Sequence, residues 1–85
     1  MSDFEGRIEA LRAKFRLEAQ EAAGQLSQCD EAALEQLAHR FSGIAGMFGY
    51  DELGRIAHQL EEALRAGQSD AFALRAELEA ALRAV

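Results

Sequence analysis

Apolar residues recur every three or four positions along almost the whole chain, and only three short interruptions break the rhythm. That spacing marks amphipathic helices, each with one stripe to bury. The first stripe is Phe4, Ile8, Leu11, Phe15, Ala19, Ala22 and Leu26. The second is Leu34, Leu37, Phe41, Ile44 and Phe48, and the third is Leu53, Ile56, Ala57, Leu60 and Leu64. Ala71, Leu74, Leu78, Leu82 and Val85 make the fourth. No proline occurs in the chain, which removes the strongest helix breaker.

The interruptions carry the expected punctuation. Ser2 or Asp3 is placed to cap the first helix, which should fray near Ser27–Cys29. Asp30 is a good N-cap for the second helix, and Glu31 follows where a carboxylate favours the helix dipole. Gly49 and Gly67 can end the second and third helices in a left-handed conformation. Asp51 is expected to cap the third helix, and Ser69 or Asp70 to start the fourth. Connections this short make successive helices antiparallel. The expectation is an all-α, antiparallel up-down four-helix bundle, with residues 1–85 as one domain.

Charge and composition exclude several functions. The net charge of −6 is spread along the chain, with no basic patch of the kind that nucleic acid requires. Cys29 is the only cysteine, so it has no internal disulfide partner, which fits a reducing compartment. The N-terminal MSDFEGRIEA is charged and lacks an apolar run, so neither a signal peptide nor a membrane span is expected. A cytoplasmic monomer is the expectation. Metal ligation is not expected either: the sequence has no His-x-x-x-His, and one Glu–His pair is not a site.

One stretch does not fit a plain bundle. LAHRFSGIAGMFG, Leu37 to Gly49, holds three glycines just after a histidine. Each interior glycine weakens a helix by about 1 kcal/mol relative to alanine. With about 100° per residue and His39 as origin, the second stripe falls at roughly 140° to 220°, on the opposite side. Gly46 and Gly43 fall at about −20° and +40°, beside the histidine. His39 should therefore face solvent, on ground the glycines keep clear for another molecule. A free imidazole is largely neutral at pH 7 and can act as a nucleophile towards a phosphoryl group. Glu35, one turn earlier, could accept a hydrogen bond from one ring nitrogen and leave the other free.

AHRFSGIAGMFG, followed by LGRIAHQLEEALRAG, resembles the histidine phosphotransfer (HPt) domain of two-component phosphorelays. That pattern has a histidine, an apolar residue two on, lysine three on, and glycines four and ten on. Here those places hold His39, Phe41, Ser42, Gly43 and Gly49. The next helix in the family has an apolar pattern ending in Leu-Glu, matched by Leu53, Ile56, Ala57, Leu60 and Glu61. The resemblance implies a phosphoryl carrier without ATP-binding or kinase domain. Its His39 would exchange the group with an aspartate on a response-regulator receiver domain, or serve a hybrid histidine kinase. No cofactor is implied, and magnesium would sit on the receiver.

Glu35, Gln36, Arg40, Ser42, Gly43 and Gly46 are the expected partner-binding neighbours of His39. Ser42 stands where the family has lysine, so the positive charge must come from Arg40, from Arg12 or Arg16 on the first helix, or be absent. In the last case the chain would be a degenerate HPt-like module that docks a receiver or kinase without phosphotransfer. A structural dimerisation bundle is a further reading, separable by whether His39→Gln changes any function. His58 reads as a solvated residue beside Glu62, Cys29 as a plain small residue, and Leu17 and Met47 as exposed apolar residues at the rim.

Overall fold

A computed structural model describes residues 3–85. Four α-helices follow in order: α1 Asp3–Gln25, α2 Glu31–Ile44, α3 Asp51–Ala66 and α4 Ala71–Arg83. Short 3-10 turns extend α1 through Leu26–Gln28 and α2 through Ala45–Phe48. Among the described residues there is no strand, and the architecture is the up-down bundle that the four stripes predict.

Most of the punctuation acts as expected. The Asp30 carboxylate accepts from the Ala33 amide at 2.8 Å and caps α2. Gly49 and Gly67 both take left-handed backbone, with φ of 85° and 66°, and close the ends of the second and third helical segments. Asp51 does not cap α3. Tyr50 occupies that position, its carbonyl accepts from the Gly54 amide at 3.1 Å, and Asp51 is already helical. The Tyr50 ring stacks on Phe15 at 5.4 Å, which draws the chain into α3 one residue early. Asp70 sits at the start of α4 without a side-chain bond to the helix. The cap expected from Ser2 or Asp3 falls on side chains outside the described residues.

The core is narrow and rich in alanine. Ala19, Ala22, Ala23, Ala38, Ala45, Ala57 and Ala63 are buried beside Leu26, Leu34, Phe41, Leu53, Leu60, Leu78 and Leu82. Small side chains let helix axes approach closely. Phe15 closes one end: it stacks on Phe48 at 5.0 Å and meets Phe41 edge-on at 5.8 Å.

The first stripe is buried only from Phe15 onward. Phe4 and Leu11 were expected to face the core, yet they are 67% and 53% exposed, and Ile8 is half-buried. At 1.5 Å per residue, α1 is about 34 Å long and outreaches its neighbours. Its Phe15 lies level with the Ala45–Phe48 turn, so the turns before it project past the bundle along its 50 Å long axis. Further down, the Gln20 amide donates to the carbonyls of Arg83 and Val85 and ties α1 to the end of α4.

Candidate functional site

α2 presents His39 to solvent. The imidazole is 70% exposed, while Leu34, Ala38 and Phe41 on the opposite side of the same helix are buried. The glycines clear the surface as their angles predict. Gly43 is exposed, and a Cβ there would meet nothing within 4 Å. Gly46 is also exposed, with only an Asp51 carboxylate oxygen at 3.8 Å from such a Cβ.

The ring is held from α3 rather than from its own helix. His39 Nδ1 lies 2.5 Å from Glu61 Oε2. Glu61 is buried, at 3% exposure, so its carboxylate looks outward from the α2–α3 seam at the ring. The same oxygen accepts from Arg65 Nη2 at 2.8 Å. An ionised carboxylate only accepts, so the proton of the His39–Glu61 bond sits on Nδ1, and in the neutral ring the lone pair is then the one on Nε2. Burying this carboxylate would be costly alone, and the guanidinium and imidazole offset that cost.

The expected role of Glu35 is therefore corrected. Its carboxylate accepts from Arg65 Nε at 2.8 Å, and the acceptor at the histidine is Glu61. An intrahelical neighbour at i−4 competes poorly here, because the arginine on α3 reaches across and takes it. The result is a chain of contacts from Glu35 through Arg65 and Glu61 to His39.

The other expected neighbours divide. Gln36 and Arg40 flank the histidine and line a groove of about 370 Å³ between α1 and α2. Arg40 is bonded across that groove to Glu18 on α1 at 2.6 Å, which turns its charge away from the ring. Ser42 is half-buried, and its hydroxyl donates to the His39 carbonyl at 2.7 Å. Arg12 lies 3.8 Å from Glu9 on its own helix. His58 Nε2 pairs with Glu62 at 2.7 Å, as its spacing predicts, and its Nδ1 is 3.9 Å from the second oxygen of Glu61. Leu17 and Met47 are exposed, and Cys29 is a half-buried free thiol. Among the described residues no three ligands cluster to hold a metal, and no helix is long and apolar enough to cross a membrane.

The Hpt domain family model matches residues 3–85. The chain belongs to the Hpt domain family. Hpt domains are phosphocarrier modules of two-component signalling and work with receiver and kinase domains. No curated protein and no solved structure matches the chain. In this Hpt domain the residues that sequence reasoning did not place at the site are Glu61 and Arg65. A signal for Glu61 existed: it follows Leu60 and lies one turn beyond Ala57, at the edge of the α3 stripe. A carboxylate there is buried against the neighbouring helix or it interrupts the packing.

Proposed function

We propose that His39 carries the phosphoryl group through Nε2, exchanging it with the aspartate of a receiver domain. One observation carries this reading: an exposed imidazole whose Nδ1 is committed to a buried carboxylate, with open ground at Gly43 beside it. In the forward step the Nε2 lone pair attacks phosphorus of the aspartyl phosphate. The N–P bond forms as the acyl O–P bond breaks, and that electron pair leaves with the aspartate carboxylate. Positive charge developing on the ring is met by Glu61 through the Nδ1–H bond, an electrostatic support already in place before reaction. The reverse step returns the group by the same path. Magnesium, in this reading, is held by the receiver.

The receiver or a hybrid kinase is the proposed partner, the chain acts as a monomer, and the cytoplasm is the proposed compartment. A module that docks without transfer is the competing reading, favoured by Ser42, whose hydroxyl is spent on the helix backbone. The deciding experiment mixes the protein with a phosphorylated receiver and magnesium. Acid-labile, alkali-stable label on wild type and none on His39→Gln is the expected result. Binding without label on wild type, or label retained by His39→Gln, overturns the assignment.

A further inference from the structure

We infer that Arg65 is a second catalytic residue of the site, the cation that holds the phosphoryl group while it is exchanged at His39. The inference rests on the carrier role proposed for His39 and adds the charge that residue 42 does not supply. Ser42 is uncharged, and its hydroxyl is spent on the His39 carbonyl. Arg40 is bonded to Glu18 across the groove, and Arg55 to Glu52 and Gln59 on its own helix. Arg65 is the guanidinium that meets the ring's own acceptor. Its Nη2 lies 2.8 Å from the Glu61 oxygen that is 2.5 Å from His39 Nδ1.

The charges around the ring call for such a cation. Glu61 faces Nδ1, and Glu35 lies one turn before His39 on α2, so a phosphoryl dianion arrives beside two carboxylates. Like charges at this range repel. Arg65 is bonded to both carboxylates, through Nε and Nη2, which leaves Nη1 for an incoming anion. The side chain is 61% exposed, and its bond to Glu35 lies at the surface, where an ion pair is weak. Giving up Glu35 for a phosphoryl group exchanges one carboxylate for a more highly charged acceptor that suits the guanidinium fork. Arg65 keeps Glu61 as it does so, and that bond holds it against the ring.

The test separates Arg65 from Glu61. Arg65→Gln alone would leave a buried carboxylate short of a partner, so Glu61→Gln is compared with Glu61→Gln/Arg65→Gln, both first shown to be folded by circular dichroism. At saturating phosphorylated receiver the double variant should transfer about tenfold more slowly than Glu61→Gln, less than the hundredfold of a donor in a water-excluded site. Adding Ser42→Lys should recover most of that loss, because a lysine one turn after His39 lies back along the helix towards the ring. Equal rates in the first two proteins, or a loss that Ser42→Lys leaves in place, overturn the inference. A second arm needs no transfer: affinity is measured for a receiver with and without beryllofluoride, a phosphoryl mimic. Glu61→Gln should keep the wild-type preference for the beryllofluoride form, and the double variant should lose it. An equal preference in both overturns the inference. An Arg65-dependent preference with no label on wild-type His39 removes the carrier role and leaves the contact standing.

Discussion

Replacing Gly43 with alanine should make the protein more stable and a poorer partner at the same time. Gly43 lies within α2 with no positive φ, and an added Cβ meets nothing within 4 Å. No clash opposes the substitution, so the helix gains from the lower backbone entropy of alanine, about 0.5–1 kcal/mol near its end. For a domain of this size, 1 kcal/mol corresponds to a melting shift of roughly 4–8 °C. The expected rise is thus about 2–8 °C, read by circular dichroism. The same methyl stands on the surface beside the imidazole, where a receiver approaches in the role proposed for His39. Poor fit of one methyl group at a packed contact is worth about 1 kcal/mol or more, so half-saturation should require roughly fivefold more phosphorylated receiver. The maximal rate should change less, because Glu61 and the ring are untouched. A lower melting temperature would refute the open-space argument, and an unchanged saturation curve would refute the docking argument.

Glu61→Gln keeps a neutral acceptor beside Nδ1 but removes the charge; transfer at saturating receiver should fall about tenfold or more, the scale of a hydrogen bond to an ionised group. Asp30→Ala loses the cap bond to Ala33 and should lower stability by about 1 kcal/mol in a urea titration, with transfer intact at low temperature. Phe15→Ala empties the junction shared by Phe41, Phe48 and Tyr50 and should cost about 3–5 kcal/mol, enough to leave a small domain largely unfolded on warming. Phe4→Ser, on the projecting part of α1, should change stability by no more than about 0.5 kcal/mol, measured in the same way.

The helices and the outward turn of His39 were readable because both depend on relations inside a single helix. A stripe at 3.6-residue spacing fixes which side is buried, and everything opposite it is exposed. Gly49 and Gly67 were readable for the same local reason. What extends across helices was not. The spacing of Phe4, Ile8 and Leu11 continues the α1 stripe without showing where its neighbours stop. Tyr50 displaced Asp51 as the start of α3 because its ring found Phe15, a contact between residues far apart in the chain. Glu61 and Arg65 reach the histidine from α3, and the i, i+4 rule, confined to one helix, pointed to Glu35 instead.

The ring and its acceptor are 22 residues apart in the chain and on different helices. Short peptides spanning residues 34–49 would keep the histidine and its glycines yet lack Glu61 altogether. They should be chemically mute towards a phosphorylated receiver. Loss of labelling on heating should likewise follow the separation of α2 from α3, making the phosphorylation signal a direct gauge of whether that seam is closed.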